Sequence, residues 1–360
     1  MGKEIRTAFI GTGNCCSNLV QGLYFYKDAQ GDSVPGLMHS AIGGYKISDV
    51  KPVAAFDVDS RKVGKDLSQA IFAGTNNTVE IAKVPNLGCE VMKGPVLDGI
   101  GEMMSRVISI DPKQKPVDVA AILEEKKIDV LVNFLPVGSA EATQYYAEAA
   151  LKSGVAFANA IPEFIASDPA WAKRFADENV AIIGDDTKAM FGATIVHRTL
   201  TKLCQDRGAT IDNTYQLNVG GNTDFFNMLE HSRLKSKKIS KTESVQSQML
   251  KRLPDENIHV GPSDYVPWLK SRKLCFLRIE GRLFGDVPFN IEARLDVEDK
   301  ANSSGVIIDA IRCAALAKDR NIGGVLISPS AYFCKHPPQQ FPDPVARQML
   351  EEFISGQRER

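Results

Sequence analysis

Short apolar runs alternate with stretches of three-to-four-residue apolar periodicity through the first half of the chain. The runs Arg6–Ile10, Val53–Phe56, Val130–Leu135, Val155–Ala160 and Val180–Gly184 predict strands. Several are apolar throughout, as strands of a parallel sheet covered on both faces should be. Between them the spacing predicts helices. One covers Ala140–Lys152 and stops at Gly154; another covers Pro169–Glu178. The second is entered through Ser167-Asp168-Pro169, an N-cap followed by proline at the first helical position. This alternation predicts a doubly wound α/β fold around a parallel sheet.

From about Thr210 the pattern changes. Tyr215–Val219, Leu274–Glu280 and Asn290–Val297 alternate with period two and read as antiparallel or mixed strands, interrupted by the basic segment Arg233–Lys241. Helical periodicity returns over Ser303–Arg320, with Val306, Ile307, Ala310, Ile311, Ala314 and Ala317 on one side. The expected organisation is a discontinuous first domain, residues 1–199 and 300–360, with an α+β domain carrying a mixed sheet inserted at 200–299.

Composition narrows the function classes. At 360 residues, with 44% hydrophobic and 24% charged residues, the chain suits a soluble protein of two domains. A net charge of -1 gives no reason to expect nucleic acid or an anionic membrane as partner. No apolar run approaches the roughly 20 residues of a membrane span. Met1-Gly2-Lys3-Glu4-Ile5-Arg6 leads straight into the first strand, so no secretory signal is expected and the cytoplasm is the expected compartment. Seven cysteines without a C-x-x-C pair and five scattered histidines indicate neither a disulfide framework nor a zinc site.

The candidate chemistry begins at Ala8-Phe9-Ile10-Gly11-Thr12-Gly13-Asn14, a strand running into a glycine turn. This is how a Rossmann-type dinucleotide site opens, although Cys16 stands at the third glycine position. Asp57, ending the second strand, supplies the acid that holds an adenosine ribose and argues for NAD over NADP. It lies further from Gly13 than usual because Asp32–Tyr45 reads as an insertion. Asn133 and Asn159, in apolar strands, either meet the nicotinamide ribose or carboxamide or are amides satisfied inside the protein. Gly184-Asp185-Asp186-Thr187-Lys188 puts two acids and a lysine at a strand end, where they could hold a metal, orient a lysine or cap a helix. The segment Asn218–Asn227 suits a polyol-binding loop or a plain Gly/Asn turn. Lys237 and Lys241, four apart in the basic run, share a helix face and would bind phosphate if that face looks into a pocket; otherwise it is solvated.

Taken together, Gly11–Ser17, Val34-Pro35-Gly36-Leu37-Met38-His39, Phe56-Asp57-Val58-Asp59, Gly184–Lys188, Asn218–Asn227, Ser236–Lys241, Gly285–Asn290 and Ser328–Lys335 resemble myo-inositol-1-phosphate synthase. The likeness is to the shorter form found in actinobacteria and archaea, and it covers nearly the whole chain in order. It implies conversion of D-glucose 6-phosphate to 1L-myo-inositol 1-phosphate, the first step of inositol biosynthesis, with NAD as cofactor. The implied chemistry is oxidation at C5, enolisation, intramolecular aldol closure and reduction, with no net redox change.

Residue by residue, the resemblance implies catalytic Lys237, Lys273 and Lys335, oriented by Asp186 and Asp299. Lys237 would take the C5 hydroxyl proton, with Lys273 and Lys335 stabilising the enolate and aldol oxygens. Lys241, Lys188, Asn218, Asn222 and Asp224 are expected at the substrate. Gly11, Gly13, Asn14, Cys15, Asp57, Asn133, Asn159 and Asp185 are expected at the cofactor. Longer members carry serine-glycine where this chain has Ala189-Met190, which weakens the phosphate role of Lys188. The resemblance leaves a divalent metal ion open and implies a homotetramer built through the second sheet. Two rivals remain: an NAD-dependent sugar or polyol phosphate dehydrogenase with net redox, and a non-catalytic NAD-binding regulator.

Overall fold

The computed structural model describes residues 4–29, 31 and 34–360. Met1–Lys3 and, from the expected insertion, Asp32 and Ser33 lie outside the described residues. A seven-stranded sheet forms the larger layer, in the order Gly324–Val325, Ala181–Ile183, Ala156–Asn159, Val130–Asn133, Ile5–Ile10, Val50–Asp57 and Val91–Lys93. All its pairings are parallel. The five strands read from apolar runs are present. The two edge strands, Val91–Lys93 and Gly324–Val325, are too short to show a pattern in sequence.

One face of this sheet packs on the helices Asn14–Phe25 and Ala301–Asp319, through Leu19, Val20, Ile307, Ile311 and Ala314. The other packs on Val119–Glu125, Ala140–Lys152 and Pro169–Asp177, through Leu123, Tyr146, Ala150 and Phe175. The expected N-cap is formed: Asp168 accepts from the backbone N–H groups of Ala170 and Trp171.

The second sheet has the order Ile258–Tyr265, Thr210–Gly220, Arg272–Arg282 and Pro288–Glu298. Its first pair is parallel and the others antiparallel. Sequence reading passed over Ile258–Tyr265, whose Gly261-Pro262 interrupts the alternation. The inner face, with Ile211, Cys275, Leu277 and Ile279, packs on the helix Ala193–Asp206. A boundary at residue 199 would therefore cut a helix that belongs with this sheet. On the outer face, Tyr215 and Phe276 are exposed.

The helix Lys235–Gln246 inverts the usual amphipathic rule. Lys237, Ser240, Lys241 and Ser244, at i, i+3, i+4 and i+7, are all buried. A helix that turns ammonium and hydroxyl groups inward has to meet counter-charges or a ligand there.

Candidate active site

One cleft runs from the carboxyl edge of the parallel sheet to the end of the second sheet. Gly11, Gly13, Asn14, Cys15 and Asp57 line one end, and Lys237, Lys241, Lys273, Lys300 and Lys335 the other. At the first end Gly11 has φ +83°, and an added Cβ would lie 3.0 Å from the Phe134 carbonyl oxygen. A side chain is therefore excluded twice, by conformation and by space. A Cβ on Gly13 would project into open space, leaving room for a ligand to reach the backbone. No side chain caps the helix that starts at Asn14, so its first-turn N–H groups suit an anion. Asn14 ties this turn to the loop beyond, its Oδ1 accepting from the N–H groups of Asn77 and Thr78 at 2.8 and 3.1 Å.

Asp57 sits below the glycine turn. Its Oδ2 accepts from the Thr12 N–H and Oγ1 at 2.8 and 2.6 Å, and its Oδ1 from the N–H groups of Val58 and Asp59 at 2.8 and 3.0 Å. Burial would raise its pKa, but the Lys62 ammonium and these hydrogen bonds hold it lower than usual. Lys62 is buried, 3.9 Å from Asp57, and donates to the Thr12 carbonyl at 2.9 Å. Val96, Leu97, Ile100, Met104 and Ile108 give this end an apolar wall suited to an aromatic base. Turn, acid and wall together fit a dinucleotide.

At the other end ammonium groups and carboxylates interleave. Lys335 Nζ donates to Asp186 Oδ1 and to the Thr187 carbonyl, both at 2.7 Å, while Ser240 Oγ donates to Asp186 Oδ2 at 2.6 Å. Lys273 Nζ is 3.0 Å from Asp299 Oδ1, and Lys237 Nζ is 3.6 Å from Asp224 Oδ2. Lys300 bridges the two acids, 3.1 Å from Asp299 Oδ2 and 3.5 Å from Asp224 Oδ2.

Burial would raise all three carboxyls, yet each is held below the usual range: Asp186 by Lys335 and Lys237, Asp224 by Lys237 and Lys300, and Asp299 by Lys273 and Lys300. Burial would also depress Lys237, but Asp224 and Asp186 overrule it and keep the ammonium charged. Lys241 differs. It is only 4% exposed and has no ion pair or hydrogen bond to a described residue. Burial, then the ammonium groups of Lys273, Lys237 and Lys335, drives its pKa well below that of an ordinary lysine. Burial also lowers Lys335, against the pull of Asp186.

Several expected site residues lie outside this cleft. Asn133 Nδ2 donates to Asn159 Oδ1 at 3.0 Å, and Asn159 Nδ2 to Asp185 Oδ1 at 2.7 Å. Asp185 also accepts from the N–H groups of Ile165, Ala166 and Ser167 and from Ser167 Oγ. These three residues form a hydrogen-bonded ladder at the ends of adjacent strands. Asn218 is spent on the second sheet, donating to the Gly261 carbonyl at 2.6 Å. Asn222 caps the helix Thr223–Asn227 and steadies Asp299 at 3.3 Å. Lys188 points away, donating to Asp343 Oδ1 and the Ala331 carbonyl at 3.0 Å each. Burial, with Arg198 beside it, lowers its pKa to about 8. In this structure it is a buried cation of the scaffold.

Sequence reading missed Lys300, Lys62, Ser240 and Gln216. Lys300 follows Asp299 at the point where strand periodicity passes to helix, and Ser240 completes the inward face of Lys237 and Lys241; both signals were available. Gln216 lines the cleft beside Asn218, one of alternating inward positions. As to metals, among the described residues no three His, Cys, Asp or Glu side chains are grouped to hold an ion. Every acid at the lysine end is already ion-paired, so this donor set does not fit a divalent cation.

Comparison with known proteins agrees with this architecture. The family described as Myo-inositol-1-phosphate synthase matches residues 192–300. The chain is 56% identical over 358 residues to the inositol-3-phosphate synthase of Mycolicibacterium smegmatis, covering 98% of each chain. It is 51% identical over 358 residues to that of Corynebacterium glutamicum, again covering 98% of each. Among solved structures, Ari2 superposes with a TM-score of 0.79 at 31% identity, covering 98% of this chain and 99% of that one. Inositol-3-phosphate synthase from Caenorhabditis elegans shares the fold, with a TM-score of 0.75 at 14% identity over 99% of this chain and 86% of that one. A glycine turn and a lysine–carboxylate cluster joined by one cleft thus come with full-length similarity to these enzymes, and the chain belongs to the myo-inositol-1-phosphate synthase family.

Proposed function

We propose that this chain converts D-glucose 6-phosphate to 1L-myo-inositol 1-phosphate by an internal oxidation–reduction cycle with NAD as cofactor. One observation carries the reading: the cleft that begins at an uncapped glycine turn ends in lysines interleaved with Asp186, Asp224 and Asp299. A simple dehydrogenase needs one proton acceptor. A regulator needs none. Successive negative oxygens at C5, in the enolate and at C1 call for several fixed positive charges.

Gly11, Gly13, Asn14 and Cys15 would hold NAD, with Asp57 placed for its adenosine ribose, and the cofactor would supply reversible oxidation at C5. The chain's own groups handle protons and charge. Lys237 is kept charged by Asp224 and Asp186, so it serves as a fixed oxyanion partner rather than as a base. Lys335, with its lowered pKa, is better matched to take the C5 hydroxyl proton and return it on reduction. Lys273, paired to Asp299 at 3.0 Å, faces the enolate and C1 oxygens. Lys241 receives the phosphate. The substrate phosphate assists removal of the C6 proton.

The same reading takes the parallel sheet with the C-terminal segment as the cofactor domain and the second sheet as the catalytic and oligomerising one. A cytoplasmic homotetramer joined through the outer sheet face completes it; the exposed Tyr215 and Phe276 support this. No described helix is long and apolar enough to cross a membrane. The test is incubation with glucose 6-phosphate and sub-stoichiometric NAD, with product identification by NMR. Inositol phosphate without NADH accumulation is expected. A sugar ketone with stoichiometric NADH would replace this reading with the dehydrogenase.

A further inference from the structure

Lys300 stands at the lysine end of the cleft, within electrostatic reach of Cys15 at the other end. Its ammonium lies 3.1 Å from Asp299 Oδ2 and 3.5 Å from Asp224 Oδ2, and its side chain is only 12% exposed. Those two acids are also the partners of Lys273 and Lys237. Lys300 therefore sits where the orientations of both neighbouring lysines are fixed. Remove its charge, and Asp224 and Asp299 face one another across a desolvated gap with one ammonium each. Two buried like charges without a bridging cation repel, and would either take up a proton or recruit an ion.

Among the described residues the Lys300 ammonium contacts only those two carboxylates, with no further ion pair or hydrogen bond that would give it a purely structural role. It lines the cleft together with Cys15. The backbone explains its placement. The last strand of the second sheet ends at Glu298, and the helix Ala301–Asp319 begins three residues on. Asp299 and Lys300 thus occupy a short, rigid corner. The Asp299 N–H is held by the Ser271 carbonyl at 3.0 Å, and the Ser303 and Ser304 hydroxyls donate to the Lys300 carbonyl at 2.9 and 3.1 Å.

We propose that the Lys300 ammonium is the resident cation of this cleft, bridging Asp224 and Asp299 in place of a divalent ion and positioning Lys237 and Lys273 for the reaction. This rests on the synthase reading above. It adds a positioning residue and makes a divalent metal dispensable. Burial would lower the Lys300 pKa, but Asp299 and Asp224 hold it well above the ordinary value, so the charge persists across the working pH range.

The test uses the full-length protein and three variants. Chelator-treated wild type with NAD should form product at an undiminished rate; a rate lost on chelation and restored by Mg²⁺ or Mn²⁺ would overturn the proposal. Lys300→Met should lose about 10–100-fold, as supporting residues of a reacting set do, with the loss in kcat rather than in KM. Lys300→Arg should recover most of it. An unchanged kcat in Lys300→Met would also overturn the proposal.

A third readout needs neither sugar nor turnover. Titration with Mn²⁺, followed by electron paramagnetic resonance, should find no saturable site in wild type. Lys300→Met should gain one, and Lys300→Met combined with Asp224→Asn should lose it again. A saturable equivalent in wild type refutes the resident-cation assignment, as does no gain in a folded Lys300→Met. Should Lys300→Met not fold, the wild-type chelation and Mn²⁺ results and the Lys300→Arg rate still decide the matter. If the function reading itself fails, no protein makes inositol phosphate under any condition, yet the Mn²⁺ comparison remains readable.

Discussion

Replacing Lys241 with methionine should make the ligand-free protein more stable and the substrate complex weaker, a combination an ordinary core residue cannot give. Lys241 is buried and has no ion pair among the described residues, and Lys273, Lys237 and Lys335 outweigh Asp186 among its charged neighbours. Its folded pKa lies well below the ordinary lysine value of 10.5. Between those two values the unfolded chain binds more protons than the folded one, so stability rises with pH across that window. Below the window the penalty is complete. Methionine keeps the volume and removes the charge, so the variant should melt higher at neutral pH, by a margin that shrinks as pH rises toward 10.5.

Binding should move the other way. A hydrogen bond to a charged group contributes about 1.5–3 kcal/mol, or roughly 10- to 150-fold in affinity. Glucose 6-phosphate should therefore bind Lys241→Met weaker by about that factor. Because the phosphate supplies the counter-charge Lys241 lacks, binding to wild type should also draw in a proton above the lowered pKa. Calorimetry in two buffers of different ionisation enthalpy measures this uptake, and it should vanish in the variant. A Lys241→Met protein that melts lower and binds the sugar phosphate as tightly as wild type would refute the reasoning.

Three other outcomes follow from the same geometry. Lys237→Ala should cost about 10²–10³ in kcat, as loss of a fixed oxyanion partner does, while NAD still raises the melting temperature as it does in wild type. Asp185→Asn should destabilise the fold by roughly 2–3 kcal/mol, because an amide NH₂ would face donors that now point at a carboxylate; denaturant unfolding measures this, and unchanged KM values for NAD and sugar phosphate would confirm that the residue lies outside the cleft. Phe276→Glu, placing a charge on the exposed face of the second sheet, should shift the mass seen by light scattering to smaller species, and an unchanged mass would exclude that face as the contact between subunits.

The fold was legible where period and length were strong. Ala140–Lys152 matches its observed helix end for end, because its apolar face and terminal glycine both speak. Ile258–Tyr265 was not legible, since its pairing to Thr210–Gly220 is set by a neighbour distant in sequence and its Gly-Pro mimics a turn. The site divides in the same way. Spacing alone put Lys237 and Lys241 on one face, but only the fold shows that the face looks inward. Lys188 sits at a strand end, as a ligand residue would, yet its partner is Asp343, on a helix far along the chain. Asn133 and Asn159 had two readings, and their mutual hydrogen bond selects the internal one. Side-chain direction and distant partners are not written in local periodicity.

The helix that begins beside Lys300 has one more consequence. Ala301–Asp319 carries Ser303 and Ile307 along the cleft, and then, about 18 Å further along its axis from Lys300, holds Arg312, which donates to the carbonyls of His39, Ser40 and Tyr45. Ile308, Ile311 and Ala314 wedge the same rod against the scaffold. Chemistry and scaffold therefore share a single lever. Changes in the size of those buried aliphatic groups would tune turnover from a distance, and selection on the interior of this protein is at the same time selection on its catalyst.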